Sequence, residues 1–166
     1  RELSISLSSF YFYKQCIMII FANAKINLGL QITGKRSDGY HLLESLFIPI
    51  PLNDIIEITI NEELNQDEIQ ILGNVETGPT EDNLVLRAIN KLRESHDIPP
   101  LQISLLKQIP SGAGMGGGSS DATHALKAVR ELCHLSISDS ELEVIAISLG
   151  ADCPFFVSNT PRLVRG

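Results

Sequence analysis

Five of the chain's twelve glycines lie in one stretch, IPSGAGMGGGSSDATHAL, at residues 109–126. A strand-like segment precedes this stretch and a helix-like segment follows it. The first turn of a helix has unpaired N–H groups and a positive dipole end, and glycines let an anion approach the backbone closely. Ser119 and Ser120 add hydroxyls that suit a phosphate or a bound cation. The stretch therefore predicts a phosphate site, since a flexible glycine linker is not usually bracketed by a strand and a capped helix.

The motifs of the best-known phosphate loops fit this stretch poorly. Walker A requires GxxxxGK[ST], and no lysine stands before Ser119, which excludes a P-loop NTPase. Residues 112–117 do match GxGxxG, but such a match arises easily where glycines are dense. The dinucleotide fingerprint also expects an acidic residue at the end of the next strand, about twenty residues on, where this chain has His134 after a helix. Dinucleotide binding stays a minor alternative.

Two charged residues lie within or next to apolar segments, where a charge is costly unless it is paired or solvated. Lys25 interrupts an apolar segment, so it needs a partner or must reach solvent as an edge-strand lysine does. Asp152 follows a predicted helix and precedes the apolar run CPFFVS at residues 153–158. A carboxylate in that place could accept a proton from a substrate hydroxyl, or it is an ordinary loop residue.

Composition excludes several classes of function. A chain of 166 residues with 43% apolar residues suits one globular domain. The net charge of −7 argues against a nucleic-acid partner, and no apolar run reaches the ~18 residues of a membrane span. The three cysteines, Cys16, Cys133 and Cys153, lack CxxC spacing. Reduced thiols in a cytoplasmic protein are therefore expected, and a zinc site is not.

The predicted elements place strands first, followed by helices mixed with strands. Strands are expected at residues 18–22, 26–33, 42–52, 54–60, 69–72, 101–109 and 153–158. Pro49 and Pro51 should put the third strand at a sheet edge or a strand end. Helices are expected at residues 84–95, 119–135 and 138–149. Helical spacing, an N-cap at Asp82 or Asn83, a cap at Ser138 and a stop at Gly150 support them. This order indicates an α+β fold rather than an alternating doubly wound sheet.

The glycine stretch, IPSGAGMGGGSSDAT, closely resembles the P-x-x-x-G-[LM]-G-[GS]-S-S loop of the GHMP small-molecule kinases. AKINLGLQITGKRSDGYHLLESLF and LGADCPFF resemble two motifs of the branch that phosphorylates a cytidine-diphosphate-linked sugar alcohol. The resemblance spans residues 18–157. It implies the N-terminal domain of that family, which has a ribosomal protein S5 domain 2-like fold: α+β, with a mixed sheet and helices packed on one side.

The same resemblance implies how the chain is organised. Residues 1–17, which lack a starting Met, are expected to be an extension outside the fold, and residues 18–166 the ATP-binding domain. A C-terminal domain of the family is expected to be missing. We therefore expect this chain alone to be weakly active or inactive.

The resemblance also implies a set of site residues. Lys25 and Asp152 are the expected catalytic pair, and Asn27, Tyr40 and His41 are the expected contacts to a small-molecule cytidine-diphospho substrate. ATP and Mg²⁺ are the expected cofactors, with no metal ligand assigned. Open alternatives are a kinase of the mevalonate or homoserine type and a truncated, non-catalytic nucleotide-binding module. The expected ATP-binding residues are Pro110, Ser111, Gly112, Ala113, Gly114, Met115, Gly116, Gly117, Gly118, Ser119 and Ser120.

Overall fold

A computed structural model describes residues 17–35, 41–75 and 78–165, with the main chain alone at Lys35, His41, Leu43 and Glu81. A 3₁₀ turn at Thr80–Asp82 precedes the first helix. The elements are β1 (Ile17–Lys35), β2 (His41–Ile60), β3 (Glu68–Leu72), α1 (Leu84–Arg93), β4 (Leu101–Leu106), α2 (Gly117–Leu132), α3 (Asp139–Leu149), α4 (Phe155–Ser158) and β5 (Arg162–Arg165).

The strands form one mixed sheet that the helices cover on one face. The strand order is β1-β2-β4-β3, and β5 pairs with β2. All pairings are antiparallel except that of β3 with β4. Alternate residues of β2 and β4, such as Ile56, Ile58 and Ile103, are buried in one core with α1 and α2, whereas Glu57 and Gln102 on the other face are exposed. The predicted α+β class with a mixed sheet is confirmed.

The first two predicted strands are in fact one. β1 runs unbroken through the polar residues that were expected to separate residues 18–22 from residues 26–33. Its pairing with β2 continues there, with a register shift between Asn23 and Ala24 and another between Leu28 and Leu30. Because β-bulges absorb extra residues without ending a ladder, a break in the apolar pattern does not end the strand. The prediction of two runs was wrong.

The next two predicted strands are also one, and their prolines explain the error. β2 joins residues 42–52 and 54–60 and lies inside the sheet, not at its edge. On the side away from β1 it pairs with β5 at residues 44–47 and with β4 at residues 55–60. Pro49 and Pro51 lie between these two pairings, where no described segment forms a ladder with that side of the strand. The prolines mark a local open edge, as their missing N–H groups require.

The predicted strand at residues 153–158 is a helix. Pro154 has φ −60° and ψ −28° and begins the single turn α4, in which Phe155 and Phe156 are buried. Their rings meet edge to face at 5.1 Å between centroids, and Phe155 meets Phe47 at 5.4 Å. Aromatic residues favour strands only weakly, so this packing decides the conformation. Asp152 therefore lies in a turn between two helices.

The capping predictions for α1 and α3 are confirmed, whereas α2, which was expected to be capped and to begin at Ser119, begins at Gly117 without a side-chain cap. The Asn83 side chain accepts from the N–H of Val85 at the start of α1. Ser138 and Glu141 form a capping box at the start of α3. Among the residues described, no helix has the length and apolar character needed to cross a bilayer.

Candidate active site

The loop between β4 and α2 is a concave surface of main-chain N–H groups. Gly112, Gly114 and Gly116 have left-handed φ angles of 69°, 71° and 70°, and they alternate with Ala113 and Met115. Alternating conformations of this kind turn successive N–H groups toward one side and make an anion-binding nest. A cavity of about 270 Å³ adjoins the loop. The predicted residues that line it are Pro110, Ser111, Gly112, Ala113, Gly114, Met115, Gly116, Gly117, Gly118 and Ser119.

Gly116 shows why this loop needs glycine. Besides its left-handed φ, a Cβ at this position would lie 3.1 Å from the Phe156 ring and 3.3 Å from Cε of Lys25. A larger residue would push apart the loop and β1. The main chains of β1 and the loop are also in contact, since the N–H of Lys25 donates to the Met115 carbonyl at 3.0 Å. The glycine loop thus holds Lys25 directly beside it.

Ser120 differs from the ten predicted residues that line the cavity. Its side chain is fully buried, and its hydroxyl donates to the Asn23 carbonyl at 2.6 Å. Its N–H donates to the Gly116 carbonyl at 2.8 Å. Both donors are therefore used to join α2 to β1 and to the loop. The predicted ATP contact of Ser120 stays a prediction that this geometry does not favour.

Lys25 and Asp152, which are distant in the sequence, form an ion pair beside the loop. Lys25 Nζ lies 3.2 Å from Asp152 Oδ2 and donates to Asn27 Oδ1 at 2.6 Å. It also lies 4.2 Å from the centroid of the Phe47 ring, within the range of a cation–π contact. Lys25 is 4% exposed, whereas Asp152 is 33% exposed. The carboxylate, and not the ammonium, is open to an incoming molecule.

The predicted substrate contacts are placed unequally. Asn27 is exposed on β1, and its amide oxygen accepts from Lys25, so it belongs to the same cluster. His41 begins β2, and its main chain pairs with Lys35 at the far end of the β1–β2 ladder. Tyr40 lies outside the described residues. The substrate roles of these three residues stay predictions.

Comparison with known proteins identifies the family. Residues 83–160 match the model of the GHMP kinases N-terminal domain. The 4-diphosphocytidyl-2-C-methyl-D-erythritol kinase of Porphyromonas gingivalis is 56% identical over 146 residues, which cover 88% of this chain and 53% of that enzyme. Residues 83–160 therefore belong to a GHMP kinase N-terminal domain. The kinase of the same name from Parabacteroides distasonis is 50% identical over 151 residues, 90% of this chain and 54% of that enzyme.

Solved structures of GHMP kinases share the fold. A crystal structure of 4-(cytidine 5'-diphospho)-2C-methyl-D-erythritol kinase has a TM-score of 0.75 at 36% identity, with 90% of this chain and 52% of that chain covered. The mevalonate kinase of Methanococcus jannaschii, at 20% identity, has a TM-score of 0.60 over 90% of this chain and 56% of that one, and it shows the fold alone. This chain spans about half the length of the curated relatives it matches.

A second buried lysine of this GHMP kinase domain was missed by sequence reasoning. Lys107, just beyond β4, contacts the carboxylates of Asp54 and Asp121, at 2.6 Å for Asp121 Oδ2. Asp54 also accepts from the main-chain N–H groups of Gln108 and Ile109 and so anchors the residues that lead into the loop. A signal was present, because Lys107 continues the buried alternation of residues 101, 103 and 105.

The charges of this trio do not balance. Burial alone would lower the pKa of Lys107, but Asp121 and Asp54 outweigh it and raise that pKa. Burial, with the nearby Asp54 carboxylate, raises the pKa of Asp121 to about 7 despite the lysine. Asp121 Oδ1 is buried without a hydrogen-bond partner among the described residues, which fits a carboxyl group that takes up a proton readily. One ammonium group is therefore paired with two buried carboxylates, and the trio has an excess negative charge when both carboxylates are ionised.

Proposed function

We propose that this chain carries the ATP-binding and catalytic part of a 4-diphosphocytidyl-2-C-methyl-D-erythritol kinase. In this proposal ATP phosphorylates a hydroxyl of the cytidine-diphospho substrate, in the non-mevalonate route to isoprenoid precursors. The identity of 56% to one kinase of that name supports this substrate. The fold supports it less, because mevalonate kinases have the same fold.

The observation that carries the proposal is the Lys25–Asp152 ion pair beside the glycine loop. Phosphoryl transfer needs a bound phosphate tail, neutralised charge and a group that positions the attacking hydroxyl. The nest of N–H groups supplies the first, and the two charged residues supply the others within 3.2 Å of each other. Neither half of this arrangement is useful for phosphoryl transfer without the other.

Different exposure gives the two side chains different roles. Asp152 is the more exposed and accepts the proton of the substrate hydroxyl. Lys25 is enclosed by Asn27 and the Phe47 ring, so its ammonium has a fixed position. From there it orients the carboxylate and stabilises negative charge that develops on the transferred group.

Mg²⁺ fits the loop as a cation held mostly by ATP. In the described parts of the chain, no three His, Cys, Asp or Glu side chains come together as a metal site. Mg²⁺ bound to a nucleotide needs only one or two protein oxygens in addition to phosphates and water. The hydroxyl of Ser119 is the protein oxygen that we propose for it. The cation would neutralise charge on the phosphates.

The acceptor end of the site lies along the β1–β2 ladder. Asn27 stands next to the ion pair, and we propose that its amide contacts the substrate hydroxyls. Tyr40 and His41 are proposed to bind the cytosine ring, by stacking and by hydrogen bonds to its edge. A cytoplasmic location belongs to the same proposal, supported by the unpaired thiols of Cys133 and Cys153.

A coupled assay with ATP and the cytidine-diphospho substrate tests this function. Asp152→Asn should lower kcat by about 10²–10⁴-fold, the range for a lost general base. ATP affinity, measured by calorimetry, should stay within about threefold because the phosphate nest is intact. The exposed Asp97 is the control, and Asp97→Asn should behave as the wild type.

Two results would contradict the proposal. One is undiminished phosphate transfer by Asp152→Asn, which would require another base. The other is phosphorylation of mevalonate or homoserine in preference to the cytidine-diphospho substrate, which would move the protein to a sister kinase.

A further inference from the structure

Two hydrogen bonds tie the proposed reacting side chains to the glycine loop and its helix. On one side, the N–H of Lys25 donates to the Met115 carbonyl within the loop. On the other side, the hydroxyl of Thr123, in the second turn of α2, donates to the Cys153 carbonyl at 2.9 Å. Cys153 directly follows Asp152. Each member of the ion pair therefore has its own link to the phosphate-binding element.

The Thr123 hydroxyl makes an unusual pair of contacts. A helical threonine commonly donates to the carbonyl four residues before it, and Thr123 does so to Ser119 at 3.0 Å. Its single hydrogen is shared with the Cys153 carbonyl, which belongs to the turn between α3 and α4. The residue is fully buried. It therefore cannot touch a substrate, and any effect on the reaction has to pass through the turn.

The turn that presents Asp152 is closed by its own main chain. The N–H of Cys153 donates to the Gly150 carbonyl at 3.1 Å, and the Cys153 carbonyl also accepts from the N–H of Phe156 at 3.1 Å. These bonds fix the shape of the turn but not its position relative to α2. The bond from Thr123 links α2 to the turn next to Asp152, and Lys127 Nζ, which donates to the Val157 carbonyl at 3.3 Å, adds a link farther along α4. Because the Phe156 N–H also donates to the Cys153 carbonyl, that carbonyl keeps one partner if the Thr123 hydroxyl is removed.

We propose that Thr123 is a positioning residue for Asp152. Its hydroxyl sets the distance between the carboxylate and the first turn of α2, and so the alignment of the attacking hydroxyl with the terminal phosphate. The inference rests on the proposed kinase function. A displacement of about 1 Å at such a site is enough to reduce a rate by about 10²-fold.

Three variants and two kinetic constants test this role. Thr123→Val keeps the shape and removes the donor, and it should lower kcat by about tenfold or more while the KM for ATP stays within about twofold. Thr123→Ser restores the hydroxyl and should recover most of kcat. Thr59→Val, at another buried threonine in β2, is the control for loss of a hydroxyl elsewhere and should keep the wild-type kcat. An unchanged kcat in Thr123→Val overturns the inference.

A double-mutant cycle separates positioning from general destabilisation. If Thr123 acts through Asp152, then Thr123→Val should cost less than about twofold when Asp152 is already Asn. An equal loss in both backgrounds would overturn the inference, because the hydroxyl would then act without the carboxylate.

Hydrogen exchange gives a readout that does not need catalysis. Thr123→Val should speed exchange of the amides in residues 150–156 and leave those of α1 unchanged. A chain that transfers no phosphate, as is expected of this domain alone, still shows through this exchange pattern whether the tether exists. Unchanged exchange at residues 150–156 would overturn the tether itself.

Discussion

Lys25 and Lys107 flank the same glycine loop, and they differ in what surrounds their charges. A Cβ on Gly116 would lie 3.3 Å from Cε of Lys25, and one on Gly117 would lie 3.5 Å from Nζ of Lys107. Both lysines are buried, at 4% and 6% exposure. Lys25 faces one partly exposed carboxylate, whereas Lys107 faces two that are enclosed.

The difference separates a charge that supports the fold from one that is open to a ligand. A buried charge is costly unless it is paired, and removing one partner leaves the other uncompensated. Around Lys107 the charged groups are buried, although Lys107 also lines the cavity beside the loop, and the trio holds β2, β4 and α2 together. Around Lys25 the carboxylate can exchange its partner for a substrate. Burial alone does not distinguish the two lysines, and the exposure of the partner carboxylate is what supports the catalytic role proposed for Lys25.

The largest effect on stability is expected from Lys107→Met. Two buried carboxylates would lose their ammonium, and the free energy of unfolding should fall by about 3–5 kcal/mol. Urea denaturation measures this loss. Lys91→Met, at an exposed lysine, is the matched control and should change stability by less than about 0.5 kcal/mol. A small loss in Lys107→Met would contradict the structural role of the trio.

Lys25→Met should instead act mainly on the reaction. Loss of a fixed ammonium beside the transferred phosphoryl group should lower kcat by about 10²–10³-fold. The phosphate nest does not contain the Lys25 side chain, so ATP should still bind. Kinetics and calorimetry on the same preparation separate the two effects. If Lys25→Met lowered the free energy of unfolding but left kcat unchanged, Lys25 would have the structural role that is assigned here to Lys107.

The smallest effect is a change in how stability depends on pH. Because the pKa of Asp121 is raised to about 7 in the folded protein, the native state binds more protons than the unfolded state between about pH 4 and pH 7. The contribution of Asp121 to stability is therefore present at low pH and is lost as pH rises toward 7. Asp121→Asn should flatten this dependence and should be at least as stable as the wild type at pH 8.

Asp54→Asn is the contrasting variant for that experiment. Asp54 accepts from two main-chain N–H groups as well as from Lys107, so its loss should destabilise at every pH by about 2 kcal/mol or more. Thermal denaturation at pH 5 and pH 8 compares the two. A wild-type slope in Asp121→Asn would place the excess proton elsewhere.

The parts of the site that are local in sequence could be predicted, and the parts that depend on long-range contacts could not. The phosphate loop is contiguous, so its glycines and the following helix predict a cradle directly. Lys25 and Asp152 stood out as awkward charges, but only family resemblance paired them. Lys107 was missed because its partners Asp54 and Asp121 come from other elements.

The same physical limit explains the errors in the fold. Pro49 and Pro51 predicted an edge or a strand end because a proline lacks the N–H that a ladder needs. A proline shows that one position is unpaired, but not that the whole strand lacks a neighbour. The aromatic run at Phe155 and Phe156 was assigned to a strand by propensity, but packing against Phe47 holds it in a helical turn. Predictions were correct where caps act locally, as at Asn83 and Ser138.

The prolines of β2 also hinder edge-to-edge pairing between this domain and strands of other chains. Within the described part of the chain, residues 48–52 leave one side of an interior strand without a ladder, a place where a foreign strand could pair. Pro49 and Pro51 have no N–H to offer such a strand, and Pro51 lies where the register with β1 shifts. The unpaired side of β2 is therefore short, bent and poor in N–H donors, so it is a weak template for strand addition and aggregation.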